Sequence, residues 1–157
     1  MIFEKATVDD VNELVALRIA YLEEDGEAMD DDVLSSLKAN LPDYFIRHVN
    51  HDLIAYLARD EKEIIACALL LVVEKPMSPS FITGKTGTVL NVYTHPDHRH
   101  QGYAKHLMKM LLRDAIDQNL SVVELKATDA GYNLYKSLGF EDAVTKYHFM
   151  TWHNRTM

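Results

Sequence analysis

Residues 88–127 constrain the fold of this chain most, because they read in succession as a strand, a glycine loop, a helix and a strand. Residues 88–94 favour β-structure, and residues 121–127 alternate apolar and polar side chains as a strand does. Between them a helix is predicted at about residues 102–118, with an apolar face formed by Ala104, Leu107, Leu111 and Ala115. Two strands joined by one helix predict a βαβ unit with parallel strands and a right-handed crossover.

The loop of this unit, residues 99–104, is predicted to bind an anion. A strand that enters a helix through a tight turn leaves several backbone N–H groups without partners and directed at one point. Gly102 lets a ligand approach the backbone because it has no Cβ, and Arg99 and Gln101 add side-chain donors. The pattern therefore predicts a pyrophosphate site for a nucleotide-like cofactor.

The residues before this unit predict two helices and three strands. Residues 2–6 read as a strand, and Thr7 with Asp10 resembles a capping box that starts an amphipathic helix. Residues 23–32 hold seven acidic side chains and predict a mobile loop, followed by a helix that Pro42 should end or kink. Residues 53–59 and 64–73 predict a hairpin whose second strand is apolar enough to be central, and residues 74–84 a long loop.

The residues after the unit predict a short helix and a last strand. Thr128 or Asp129 should cap the helix, and Gly139 should end it in the left-handed conformation. Residues 144–152 are predicted to close the sheet. The expected fold class is α/β, with a mixed, mostly antiparallel sheet that is parallel at its centre, helices on both faces, and one domain over residues 1–157.

Composition excludes several classes of function. A net charge of −8 without clustered Lys and Arg argues against nucleic-acid binding and favours cationic partners. The single cysteine, Cys67, lies in an apolar run and is expected to be a small buried residue. With no signal-peptide profile and no apolar run long enough to cross a bilayer, the chain is expected in the cytoplasm and off the membrane.

Two motifs in this order resemble the GNAT acetyltransferases. The first is residues 99–104, Arg-His-Gln-Gly-Tyr-Ala, preceded by a strand that ends in Val92-Tyr93-Thr94-His95-Pro96. The second is residues 134–140, Leu-Tyr-Lys-Ser-Leu-Gly-Phe, and together the two are far more specific than either alone. The resemblance covers essentially the whole chain. It implies a GNAT fold and acetyl-CoA as co-substrate without a metal.

The resemblance also implies roles for individual residues. The strand at Val92, Tyr93 and Thr94 would pair with the pantetheine arm, and a backbone N–H at Val92 would polarise the thioester carbonyl, with Asn91 assisting or only packing. Tyr135 matches the tyrosine that serves as general acid to the CoA thiolate; filling core volume is its alternative role. Thr128 stands where the family frequently has Asn. The remaining implied cofactor contacts are Arg99, His100, Gln101, Gly102, Tyr103 and Ala104.

Other features leave the acceptor and the general base open. The candidates for the base are Glu124, His148 or an acidic loop residue, each reached through a chain of water. The four histidines at positions 95, 98, 100 and 106 read as solvated loop residues more readily than as zinc ligands. The acceptor is expected to be the amine of a small molecule or protein, and the acidic residues 23–32 suggest that it is cationic. A catalytically silent acetyl-CoA sensor is the alternative to an enzyme, and the family suggests a homodimer.

Overall fold

A five-stranded sheet organises the first part of the chain in the computed structural model, which describes residues 1–156. Its strands, in spatial order, are β1 (Ile2–Lys5), β2 (Leu53–Asp60), β3 (Glu63–Glu74), β4 (Lys85–Thr94) and β5 (Val122–Glu124). The pairs from β1 to β4 are antiparallel and the β4–β5 pair is parallel. The mixed sheet and the βαβ unit are confirmed. The parallel pair lies at the edge rather than the centre, because no described strand follows β5.

The described residues also form four α-helices, namely α1 (Val11–Glu24), α2 (Asp31–His48), α3 (Tyr103–Asp117) and α4 (Asp129–Ser137). The predicted capping box is confirmed: Thr7 Oγ1 accepts from the Asp9 N–H, and the Thr7 N–H donates to the Asp10 carboxylate at 2.9 Å. A helix end at Pro42 is wrong, since α2 continues through it, and a kink there stays a prediction. Proline removes only one backbone donor, and the buried Phe45 anchors the last turns of α2 on the core.

The prediction of a mobile loop over residues 23–32 is wrong at both ends. Glu23 and Glu24 complete α1, and α2 begins at Asp31. Asp30 caps α2, because its Oδ1 accepts a hydrogen bond from the Val33 N–H at 2.8 Å. Carboxylates stabilise the amino terminus of a helix through its dipole, so Asp30, Asp31 and Asp32 favour the start of α2.

Helices cover both faces of the sheet, as predicted. Leu53, Ala55 and Leu57 of β2 belong to the core formed with α1 and α2. The intervening Tyr56 lies on the other face, where its hydroxyl donates to Asp114 of α3 at 2.7 Å. This alternation along one strand separates two apolar layers.

Contacts group the residues into two compact units, Met1–Lys126 and a second that begins at Ala127. In the second unit Thr128 caps α4 by accepting from the Gly131 N–H at 3.2 Å, and Gly139 has a φ of +98°, so both predictions for this helix are confirmed. None of the described helices combines the length and apolar character needed to cross a bilayer.

The predicted strand at residues 144–152 is wrong, since the structure assigns no strand there. Its apolar side chains are instead exposed, including Phe149 and Trp152. A β-favouring sequence forms a strand only where a neighbouring strand takes up its backbone hydrogen bonds, and among the described strands none does so.

Candidate active site

A β-bulge in β4 lies at the predicted thioester position. Leu90 pairs with Leu69 and Tyr93 with Cys67, so two residues of β4, Asn91 and Val92, stand opposite one residue of β3. Asn91 has a φ of +53°, in the left-handed region. A bulge of this kind interrupts the ladder and turns backbone groups away from the partner strand.

The edge of β4 that faces β5 is paired for only part of its length. The parallel pairing runs from Thr86 to Thr88, opposite Val122 to Glu124. Beyond Thr88, no described strand takes up that edge of β4, which includes Val92, Tyr93 and Thr94. An open strand edge offers N–H and C=O groups to an extended ligand with amide groups.

The loop after β4 has the geometry of an anion site. His100 and Gly102 have φ values of +63° and +84°, and α3 starts at Tyr103 with no side-chain cap and no acidic residue in its first turn. Among residues 1–156, no hydrogen-bond acceptor is assigned to the backbone N–H groups of residues 100–105. A Cβ added to Gly102 would meet no heavy atom within 4 Å, so open space lies there. These residues fit a pyrophosphate, which unpartnered amides at a helix start bind well.

The Arg99 side chain anchors this loop to α1. Its Nε donates to the Thr94 carbonyl at 2.9 Å, its Nη2 donates to the Glu24 carboxylate, and its guanidinium lies 5.7 Å from the centre of the Tyr93 ring. The hydrogen bond to Glu24 raises the pKa of Arg99 above its ordinary value, although partial burial opposes this. A direct contact between Arg99 and phosphate stays a prediction. Gln101 is held by the Tyr103 hydroxyl, which donates to its Oε1 at 3.0 Å.

Asn91 is buried beneath α1 and bound to two neighbours. Its Oδ1 accepts from Arg18 at 3.4 Å, and its Nδ2 lies 3.6 Å from the Cys67 sulfur. Cys67 is buried, as predicted, and burial raises the pKa of its thiol to about 12 although the hydrogen bond from Asn91 lowers it. A thiol with this pKa is protonated at neutral pH, so Cys67 is a poor nucleophile.

The structure contains an acidic cleft next to β4 that the sequence does not predict. It has a volume of about 580 Å³ and lies between α1, the turn from β2 to β3, and the end of β4. Its lining includes four carboxylates, one β4 side chain and the residue that follows β4: Glu13, Asp60, Glu61, Glu63, Tyr93 and His95. Burial, and next the charge of Glu24, raise the pKa of the Tyr93 phenol. These segments are far apart in the chain, and residues 60–63 read only as a polar turn.

Tyr135 and Thr128 both lie in the second unit. Tyr135 is on α4 with 9% of its surface exposed, and its ring makes an edge contact with Phe140 at 5.9 Å between centroids. The Thr128 hydroxyl caps α4 by accepting a hydrogen bond from the Gly131 N–H. The structure shows Tyr135 packed in the core of this unit, and its role as a general acid stays a prediction. A cofactor contact by Thr128 also stays a prediction.

The histidines and the candidate bases do not converge. The rings of His95 and His98 are 5.8 Å apart, whereas His106 stacks on Phe3 at 3.7 Å. In the described residues no group of three or more His, Cys, Asp or Glu side chains could hold a metal. Glu124 lies 3.7 Å from Lys75, and His148 is exposed. The general base remains unassigned.

Comparisons with known proteins agree with this geometry. Residues 14–140 match the model of the acetyltransferase (GNAT) family. A predicted acetyltransferase from Clostridium acetobutylicum, solved with acetyl-CoA, is 27% identical with a TM-score of 0.83, over 96% of this chain and 95% of that one. A GCN5-related N-acetyltransferase from Ralstonia eutropha JMP134 is 22% identical with a TM-score of 0.80, over 95% of this chain and 97% of that one.

A third structure of the same fold is an aminoglycoside acetyltransferase from an uncultured soil metagenomic sample. It is 16% identical with a TM-score of 0.70, over 96% of this chain and 98% of that one. No curated protein matches this chain in sequence. The family match covers most of the chain, including β4, the loop at residues 99–104 and α4. The chain therefore belongs to the GNAT acetyltransferase family and is an acyltransferase.

Proposed function

We propose that this protein transfers the acetyl group of acetyl-CoA to an amine, which attacks the thioester directly. The observation that carries the proposal is the row of backbone N–H groups at residues 100–105, which have no acceptor among the described residues and follow β4, the strand that carries the bulge. Such a row suits the negative charge of the pyrophosphate of CoA. The thioester supplies an activated acyl group.

In this proposal β4 orients the thioester. The open edge of Val92, Tyr93 and Thr94 pairs with the amide groups of the pantetheine arm. The bulge then directs the Val92 N–H at the thioester carbonyl oxygen, where a preorganised donor stabilises negative charge as it develops. Asn91 holds the bulge in its left-handed conformation through Arg18 and Cys67, and is a positioning residue.

Direct attack requires an acid for the leaving thiolate and no protein nucleophile. We assign the acid to Tyr135, whose phenol is placed on a capped helix. Cys67 is protonated and buried, which disfavours an acetyl-enzyme. The lone buried thiol is also compatible with a reducing compartment, and the proposal places the enzyme in the cytoplasm.

The proposed acceptor is a cationic amine, either a small molecule or a peptide. The cleft beside Tyr93 is lined by four carboxylates against one cation, Lys62, so it attracts positive charge. Exposed carboxylates near the α1–α2 connection, such as Asp31 and Asp32, add to this attraction. The attraction acts over a Debye length of about 8 Å at physiological ionic strength.

The test is release of CoA from acetyl-CoA in the presence of a polyamine, an aminoglycoside and a lysine peptide. Alcohols with the same carbon skeletons serve as controls. We expect release with at least one amine and none with its alcohol, and a KM that rises with salt. If no amine supports release while CoA still stabilises the fold, the silent sensor is the correct function.

A further inference from the structure

Arg18 of α1 is a partly buried arginine without a carboxylate partner. Among residues 1–156, three arginines are partly buried, namely Arg18, Arg59 and Arg99. Arg59 and Arg99 each form an ion pair with at least one carboxylate, whereas no described Asp or Glu pairs with Arg18. Removing a charge from water is unfavourable unless the charge is paired. This guanidinium therefore favours an anionic ligand.

Arg18 lies beside the bulge of β4, where the proposed function places the thioester. Its Nη1 donates to Asn91 Oδ1 at 3.4 Å, and Val92 is the other residue of the bulge. This hydrogen bond is longer than the usual length of about 2.9–3.0 Å, and it uses one of the five N–H donors of a guanidinium. A neutral amide would serve Asn91 equally well, so this contact does not by itself require an arginine. The other donors of Arg18 have no acceptor among residues 1–156.

Two tyrosine hydroxyls lie near this guanidinium. Tyr21 follows Arg18 by one turn on the same side of α1, and Tyr44 is on α2. Burial raises the pKa of both phenols and the charge of Arg18 opposes this at each, so the guanidinium is close to both. The exposed Asp25 and Glu27 also raise the pKa of Tyr21, but neither pairs with Arg18. Neither hydroxyl has a described hydrogen-bond partner, so both are available as donors.

The other charged groups near Tyr44 have partners of their own. Asp52 Oδ1 lies 2.7 Å from His48 Nδ1. Arg47, a second cation near Tyr44, is paired with Asp43 at 2.8 Å. Arg18 is therefore the cation of this region that is left for a ligand.

We propose that Arg18, together with Tyr21 and Tyr44, binds a carboxylate of the acceptor and selects amines that carry one. This subsite rests on the proposed function and narrows its acceptor to an amine with both a carboxylate and positive charge, such as a basic amino acid. The planar guanidinium suits a carboxylate, which accepts two parallel N–H bonds. One cation balances one carboxylate, whereas a phosphate ester carries a charge of about −2. The positive charge of the same acceptor is attracted to the acidic cleft, which Tyr93 lines two residues beyond Asn91.

Binding is measured by calorimetry with CoA present, so that the result does not depend on turnover. Three pairs of probes differ by a carboxylate: ornithine and putrescine, lysine and cadaverine, and arginine and agmatine. Arg18→Gln removes the charge but carries amide N–H donors for Asn91. It should weaken binding of at least one carboxylate probe by about 10- to 100-fold and leave its partner without a carboxylate within about a factor of two. The proposal is overturned if no carboxylate probe binds, or if Arg18→Gln weakens both members of each pair equally, as a purely structural role predicts.

Two further variants separate this contact from a change in overall charge. Arg47→Gln makes the same change of charge on α2, and because Arg47 is exposed and paired, all dissociation constants should stay within about a factor of two. Arg18→Lys keeps the charge and should recover part of the affinity that Arg18→Gln loses. The proposal is wrong if Arg47→Gln weakens the carboxylate probes as much as Arg18→Gln does, or if Arg18→Lys binds them no better than Arg18→Gln. Circular dichroism confirms that each variant is folded.

Release of CoA from acetyl-CoA with the same six probes separates this subsite from the proposed function. If carboxylate probes bind through Arg18 but no probe supports release, the proposed function fails and the carboxylate subsite stands. If putrescine, cadaverine or agmatine supports release while no carboxylate probe binds, the proposed function stands and the carboxylate subsite is wrong.

Discussion

Gly102→Val tests two properties of the loop at residues 99–104, namely its backbone conformation and the open space beside it. Gly102 has a φ of +84°, and an added Cβ meets no heavy atom within 4 Å. The added Cβ therefore meets no clash in the free protein, but the substitution costs about 1–2 kcal/mol because an L-residue is strained in the left-handed region. For a chain of this length 1 kcal/mol corresponds to about 2–4 °C, so we expect the melting temperature to fall by about 2–8 °C.

The same side chain occupies the space through which the pyrophosphate would approach. At about 100 times its dissociation constant, CoA should stabilise the wild type by roughly 2.7 kcal/mol, which is about 5–11 °C. Gly102→Val should lose this shift in a thermal-unfolding assay. Gly26→Val is a matched control, because Gly26 has a φ of +80° and equally open space, but lies after α1. It should show the same strain and keep the CoA shift. A full CoA shift in Gly102→Val, or its loss in Gly26→Val, would refute the reasoning.

Three further predictions concern catalysis, pH and charge. Tyr135→Phe should lower kcat by about 10²- to 10⁴-fold with an unchanged CoA thermal shift, and turnover within a factor of two of wild type would make the residue structural only. Burial raises the pKa of Asp114, but hydrogen bonds, first that from Lys5, outweigh it and hold the pKa below the usual 3.8. The stability that Asp114 adds is thus present above pH 3.8 and lost as pH falls through its lower folded-state pKa. In urea unfolding, the free energies of unfolding of wild type and Asp114→Asn should therefore converge in acid. Neutralising Asp31 and Asp32 to Asn should raise KM for a cationic amine at low salt only. If KM at low salt is unchanged, the two carboxylates only stabilise the start of α2.

The parts of the fold predicted correctly are those that depend on local sequence. The βαβ unit, the capping box at Thr7 and the helix end at Gly139 follow from periodicity and from the conformational preferences of a few adjacent residues. The loop at residues 99–104 belongs to this group, because a glycine between a strand and a helix fixes its geometry locally.

The parts that could not be predicted depend on residues far apart in the chain. The bond from Arg99 to Glu24 joins positions 75 residues apart, so the residues near either position could not predict it. The acidic cleft needs three separate segments to pack together. Repulsion among the acidic residues 23–32 favours a loop, but Asp30 caps the amino terminus of α2 and so favours helix there. Residues 144–152 have the composition of a strand, but composition does not supply a neighbouring strand.

The central claim is that an amine attacks acetyl-CoA directly while both are bound to the enzyme. Initial rates measured while acetyl-CoA and an active amine are both varied test it most directly. Direct attack predicts intersecting lines in double-reciprocal plots, because both substrates must be present before the first product leaves. Parallel lines, which indicate an acetyl-enzyme intermediate, would contradict the account.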